Sequence, residues 1–241
     1  MKRKTNCLNL SVERDIIKNN HKPKEYNIMT TLLLIRHGQS EANKLGVFAG
    51  HFDAPLLPLG VEQAKKTGEF IAANYQVDKV YASDLKRAYV TGSCIAECCN
   101  ASIIAERNLR EISAGKWEAC AFDDLVELYA DDYEVWLHDI GNARCTDGES
   151  VAELGERVLQ ALTTIAKAND GKTVAIATHA TPIRAMQSYV QYGGFGAMKD
   201  IPWVTNASVS VLSFDDGKWS FLALGIDSHL GEIKSSLPTN V

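Results

Sequence analysis

The sequence holds no apolar run approaching the ~20 residues that a membrane span requires, and its start lacks the apolar core of a secretion signal. A membrane partner is therefore not expected. The six cysteines (Cys7, Cys94, Cys98, Cys99, Cys120 and Cys145) never adopt the two-residue pairing of zinc or redox motifs. Cys94, Cys98 and Cys99 fall inside an apparent helix and read as buried free thiols acting as small hydrophobes, a usage that suits a reducing cytoplasm. Positive charge is scarce as well. Residues 1–28 hold seven Lys/Arg against three Asp/Glu, so the remainder carries 18 against 27, a net of −9. Phosphate backbones are gripped by clustered Lys/Arg, and an acidic body argues against nucleic acid as a partner. Also missing are a glycine-rich Walker loop with Lys, a dinucleotide fingerprint, a serine elbow and a His-Glu-x-x-His zinc pair. No internal repeat or low-complexity linker splits residues 29–226.

What is present is a chain of 241 residues, 46% hydrophobic, with one apolar run that stops abruptly. Leu32-Leu-Leu-Ile-Arg-His-Gly38 predicts a central strand delivering Arg36 and His37 to the carboxyl edge of a sheet, where open α/β sheets hold their ligands. Arg36 offers a planar fork of donors suited to phosphate or carboxylate. His37 offers a titratable nitrogen, and Gly38 lets an anion approach the backbone. The plainer alternative from these residues alone is an exposed strand end with an ordinary histidine.

Along the chain, residues 1–28 are polar and without periodicity, which predicts a loosely ordered extension with no catalytic role. Residues 44–58, with two glycines and two prolines, predict a loop bordering the strand end, followed by a helix over 60–75. A strand at 79–83 precedes a helix capped by Ser83 or Asp84, with Arg87 in its first turn. There Arg87 either serves an anion or is an ordinary solvated side chain. After a strand at 102–105, Glu111 stands between Arg110 and Ile112 as a candidate general acid, although a surface salt bridge explains it equally well. Residues 121–139 are acidic and aromatic and predict one or two short helices over the mouth of the site. Ser150 and Glu153 match a reciprocal capping box that starts a helix to about Asn169. A second buried strand, 172–178, ends at His179, and Thr181-Pro182 predicts a helix start two residues beyond it. Two strands flanking Asp215-Asp-Gly217 predict a hairpin, and the tail over residues 227–241 is read as peripheral.

Strands alternating with helices over residues 29–226 predict one three-layer α/β/α sandwich with a mostly parallel sheet and an antiparallel edge. Three strand-to-helix junctions then supply Arg36 and His37 with Asn43 nearby, Arg87, and His179. Two arginine forks and helix N-terminal amides suffice to hold a phosphoryl group, with no requirement for a metal or a cofactor.

These segments resemble the histidine phosphatase superfamily, also called phosphoglycerate-mutase-like. The likeness covers nearly all of residues 29–226, in the family's order. Leu34-Ile-Arg-His-Gly-Gln-Ser-Glu-Ala-Asn43 is similar to the family signature, Leu57-Pro-Leu-Gly60 with Gln63-Ala64 to the next helix start, and Ala82-Ser-Asp-Leu-Lys-Arg-Ala88 to the second-arginine motif. Leu109-Arg-Glu111 with Gly115-Lys-Trp-Glu118 is similar to the acid-bearing segment, Gly148-Glu-Ser150 to a later helix entry, and Thr178-His-Ala-Thr-Pro-Ile-Arg184 to the second-histidine motif. The resemblance implies a phosphoglycerate-mutase-like fold and a phosphohistidine formed on His37. It implies that Arg36, Arg87 and His179 hold the phosphoryl group with Asn43 at the pocket's edge, and that Glu111 serves as acid and then base. Gln39 stands where many relatives have Glu. The mutase branch usually carries a Glu-Arg-aromatic-Tyr-Gly segment around the acid and a longer insertion after it. Leu109-Arg-Glu-Ile-Ser-Ala-Gly115 has neither, which favours a cytoplasmic phosphatase of a small phosphorylated metabolite over a phosphoglycerate mutase or an idle phosphate-binding protein. The acidic, aromatic stretch at 122–139 disfavours polyanionic substrates unless Lys116 or Arg144 turns inward. Neither the individual substrate nor the oligomeric state follows from the sequence.

Overall fold

The apolar run at 32–35 lies in the middle of a sheet because both of its faces are covered. In the computed structural model, which describes residues 29–236, Leu32 and Leu34 join one buried cluster while Leu33 and Ile35 join another on the opposite face. Each such side chain stabilises the fold by roughly 1.5–3 kcal/mol relative to exposure. The expected extension over residues 1–28, and the tail beyond residue 236, lie outside the described residues.

Strand β1 (Thr30–Arg36) is followed by α1 (Glu41–Leu45) and α2 (Pro58–Asn74), then β2 (Lys79–Ala82), α3 (Lys86–Cys99) and β3 (Ser102–Ala105). Two short helices, α4 (Phe122–Leu128) and α5 (Ala130–His138), precede α6 (Val151–Ala168), β4 (Thr173–Thr178), α7 (Ala180–Tyr192), β5 (Val209–Asp215) and β6 (Lys218–Ile226). The sheet order is β3-β2-β4-β1-β5-β6. The first four strands run parallel and the β5–β6 hairpin is antiparallel at one edge. The hairpin turns through Asp216 and Gly217, both at positive φ, the conformation that matches a two-residue turn to strand twist. Residues from α2 and α3, such as Ile71 and Ile95, pack on one face of the sheet, and residues from α6 and α7, such as Val158 and Ile183, pack on the other. The expected three-layer sandwich is the observed fold.

Local expectations needed four corrections. Neither Ser83 nor Asp84 caps α3: Leu85 occupies the cap, the Lys86 N–H donates to Asp53 Oδ1 of the preceding loop at 2.7 Å, and Arg110 engages both Asp84 oxygens. Helix α7 starts one residue earlier than expected, with His179 itself as cap and Pro182 at its third position, where an unbonded N–H is not missed. Cys98 is exposed, whereas Cys94 is buried. The residues after Asp227 are less peripheral than their polarity suggests: Ser228–Ile233 forms a short turn whose Leu230 is buried, and the Gln63 side chain of α2 donates to the Ile233 carbonyl and the Ser235 hydroxyl.

Candidate active site

Parallel register does most of the assembly. Arg36 of β1 pairs with Thr178 of β4, so His37 and His179 emerge at one level, and Ala82 of β2 pairs with Ala177, which sets Ser83 one residue behind them. The His37 N–H donates to Thr178 O at 3.0 Å and the Ser83 N–H to Ala177 O at 2.9 Å, extending the ladders to these residues. The two imidazoles meet edge to face with centroids 5.2 Å apart. His37 Nδ1 lies 2.7 Å from Gly38 O. A carbonyl only accepts, so Nδ1 carries the hydrogen and Nε2 keeps its lone pair. His179 shares a 2.9 Å hydrogen bond between Nε2 and the Ser83 hydroxyl, while its Nδ1 is buried with no partner among the described residues.

Gly38 is where the chain turns away from His37, and its lack of a side chain is structural. A Cβ there would lie 2.2 Å from Gly60 O, and one on Gly60 would lie 2.0 Å from Gln39 O. The close approach of these backbones sets the course of the segment after the nucleophile candidate.

Arg36 donates from Nη1 to Val204 O at 2.6 Å, and its Nε has no partner among the described residues. Arg87, fully buried, donates to the carbonyls of Phe52 (2.9 Å) and Gly50 (2.7 Å) from the loop expected to border the site. Glu118 holds that loop: its carboxylate accepts from the amides of His51 and Phe52, and from Ala114 N. Asn43 Oδ1 accepts from Ser40 N, Ser40 Oγ and Asn206 Nδ2, which sets the amide orientation and leaves the Asn43 NH2 toward the cavity.

Glu111 stands on no strand or helix. Its carboxylate accepts from Ile112 N at 2.9 Å and from Thr181 N, in the first turn of α7, at 3.4 Å. Its carbonyl accepts from His51 Nε2 and Arg157 Nη2. Arg157, projecting from α6, also donates to the carbonyls of Asn108 and Arg110 and forms a two-pronged pair with Glu149 at 2.7 and 2.9 Å. The surface salt bridge that the sequence allowed for Glu111 belongs instead to Arg110 and Asp84.

One cavity of about 350 Å³ collects these groups: Arg36, His37, Asn43, Arg87 and Glu111 all line it. His179, fully buried with its ring edge to face on His37, is not among the residues that line it. Burial drives both imidazoles well below 6.5; Arg87 and Arg36 add to this at His37, and Arg87 and His37 add to it at His179. Both rings are therefore neutral at physiological pH. Burial also lowers the Arg36 guanidinium to about 10, opposed by Glu111, so it stays charged. Arg87 is lowered by burial against the pull of Glu111, Asp53 and Glu118. The result is two cations and a neutral nucleophile facing one carboxylate, which is suited to an anion that must be attacked. Among the described residues, no three His, Cys, Asp or Glu side chains cluster as a set of metal ligands.

Arg157 and Asn206 are the site residues that motif reasoning missed. Arg157 sits on α6 eight residues after Glu149, which lies just ahead of the helix cap, and that spacing is a weak signal. Asn206, which donates to His37 O at 3.0 Å, lies in a loop with none.

A family model described as "Histidine phosphatase superfamily (branch 1)" matches residues 32–227. The chain is 32% identical over 210 residues to phosphoserine phosphatase 1 of Hydrogenobacter thermophilus, covering 85% of this chain and 96% of that protein. It is 28% identical over 204 residues to phosphoglycerate mutase-like protein 4 of Arabidopsis thaliana, covering 83% and 87%. Bacillus stearothermophilus YhfR superposes with a TM-score of 0.79 at 25% identity, over 83% of this chain and 99% of that one. With the family match running from β1 to just past β6, the chain belongs to the histidine phosphatase superfamily.

Proposed function

We propose that the protein is a metal-independent phosphomonoesterase that hydrolyses a small phosphorylated metabolite through a phosphohistidine on His37. The observation that carries this reading is the neutral His37 ring, its Nδ1–H tied to Gly38 O, on the wall of a cavity shared with Arg36, Arg87 and Glu111. Nε2 attacks phosphorus as the ester P–O bond breaks, and Glu111 in its acid form protonates the departing alkoxide. A water then attacks phosphorus, giving its proton to the Glu111 carboxylate as the P–N bond breaks. Inorganic phosphate leaves, and Glu111 is again an acid. Arg36, Arg87 and the Asn43 amide bind the phosphoryl oxygens. His179, off the cavity wall, packs edge to face on His37 and is anchored to the Ser83 hydroxyl, so it keeps the nucleophile's ring in place. The name of the Hydrogenobacter relative supports the hydrolytic reading.

The decisive experiment is a rapid quench with a radiolabelled phosphomonoester. An acid-labile, base-stable label on the wild-type chain, absent with turnover from a folded His37→Ala variant, is the expected result; a variant that still turns over ester overturns the mechanism. EDTA should leave the rate unchanged, and strict dependence on an added divalent metal contradicts metal independence. The mutase reading, which the name of the Arabidopsis relative supports, is separated by assaying phosphoglycerate isomerisation with a bisphosphoglycerate primer. Hydrolysis without isomerisation is expected. Residues 1–28 take no part in this scheme, so their deletion should leave kcat/KM in place. The free thiols of Cys94, Cys98, Cys99, Cys120 and Cys145 support a reducing, cytoplasmic setting.

A further inference from the structure

Beyond the phosphate corner, the cavity has a second half whose chemistry is one-sided. Its walls are Phe48, Phe122, Trp136 and Trp203, with Asp123 at the mouth. Among the described residues no Lys lines the cavity, and the Arg residues that do are the two at the phosphate corner. Three cations of the neighbouring segments are engaged elsewhere. Lys116 pairs with Asp147 at 2.8 Å and Arg144 with Glu153 at 2.7 Å, so neither turns inward. Arg184 sits against the ring of Trp203, with Cζ 4.0 Å from its centroid, and donates to the carbonyls of Ile201 and Met198. No salt bridge among the described residues involves Asp123, which stands exposed in the first turn of α4, so no side-chain cation offsets its charge at the mouth.

The aromatic wall is built before any ligand arrives. The Phe48 N–H donates to Cys120 O at 2.8 Å, Ala119 N–H to Phe48 O at 2.9 Å, and Phe122 N–H to Gly46 O at 3.1 Å, stitching the loop before Gly50 to the segment leading into α4. The Phe48 ring meets Trp136, Trp117 and Phe122 edge to face at 5.1, 5.4 and 6.0 Å. Preformed aromatic surface favours a flat apolar group at little ordering cost. A carboxylate placed there would lose water, find no cation and meet Asp123.

Resting on the phosphatase reading, we propose that this half of the cavity selects phosphomonoesters of ring-bearing alcohols that are neutral or cationic, with Asp123 as the residue that reads charge. Esters carrying a carboxylate beside the phosphate, phosphoserine and phosphoglycerate included, are poor substrates. This sets the chain apart from the name carried by its Hydrogenobacter relative.

Three phenyl phosphates of matched leaving group isolate the charge: p-cresyl phosphate, tyramine O-phosphate, and the O-phosphate of 3-(4-hydroxyphenyl)propanoate. We expect kcat/KM for the cationic ester to exceed that for the carboxylated one by about tenfold at low salt. Asp123→Lys should invert that ratio and Asp123→Asn should bring it near one. On the alkyl side, 2-phenylethyl phosphate should show a lower KM than n-propyl phosphate. A carboxylated ester turned over as well as the cationic one, a ratio unmoved by Asp123→Lys, or equal KM for the two alkyl esters overturns the inference while a labelled His37 leaves the phosphatase reading standing. Absence of turnover and of label with every ester overturns both.

Discussion

His37 and Glu111 face the same cavity, yet the chain positions them by different means. His37 continues an almost fully buried strand, and its place follows from the β1–β4 register and three hydrogen bonds to its backbone, from its N–H to Thr178 O and to its carbonyl from Ala207 N–H and Asn206 Nδ2. Glu111 has no ladder under it; Arg157, bonded to the carbonyls of Asn108, Arg110 and Glu111 and to Glu149, fixes it from α6. The lesson is that one half of the chemistry is as rigid as the sheet, whereas the other rests on side chains reaching in from elsewhere, Arg157 foremost with His51 on the same carbonyl. Damage to the first should weaken anion binding and attack together. Damage to the second should slow proton transfer and spare binding.

The sharpest contrast comes from two arginines. Arg87→Met removes a buried phosphate-corner cation and orphans the Gly50 and Phe52 carbonyls; kcat/KM should fall roughly 10²–10³-fold with KM raised. Arg157→Met should lower kcat by about ten- to a hundredfold with KM little changed, since a misplacement of an ångström is that costly. Arg157→Lys should recover part of it, because one ammonium still reaches some of those carbonyls. Steady-state kinetics on one ester separates the pair, and a rise in KM for Arg157→Met breaks the contrast.

A smaller effect tests the backbone beneath His37. Gly60→Ala places a Cβ 2.0 Å from Gln39 O and should destabilise the fold by about 1–3 kcal/mol in denaturant titration. Smallest is the response to acid. Burial, reinforced by the arginines, keeps His37 and His179 below 6.5 in the folded state. The unfolded chain therefore binds protons that the folded chain refuses. Stability is complete above about pH 6.5 and falls as pH drops below it, by up to about 1.4 kcal/mol per pH unit for each ring. Thermal melts between pH 5 and 8 should show this slope, and His179→Gln should make it shallower. A stability that rises on acidification would show that the corner prefers charged imidazole.

Where local pattern and tertiary role coincide, the sequence was legible. The 32–38 run, the Ser150–Glu153 box and the 215–217 turn each announced an element because the signal and its cause lie within a few residues. The fold class followed from their alternation. The corrections arose where a distant partner intervened. Asp84 would suit a cap, but Arg110 claims it from 26 positions away and Asp53 caps the helix instead. Glu111 was ambiguous for the same reason, since only the fold shows which carboxylate of that region meets an arginine at the surface. Asn206 carried no signal at all, because its value lies in reaching back to a carbonyl 169 positions earlier.

The placement of tryptophan has an optical consequence. Of the four in the chain, Trp136 and Trp203 line the cavity and Trp117 packs directly behind Trp136, whereas Trp219 lies against Phe214 in the β5–β6 hairpin. Emission from the first two should change when an ester or inorganic phosphate enters, and Trp219 should serve as a silent internal reference. The protein thus carries its own fluorescent titration signal, and occupancy of the site is measurable without any label.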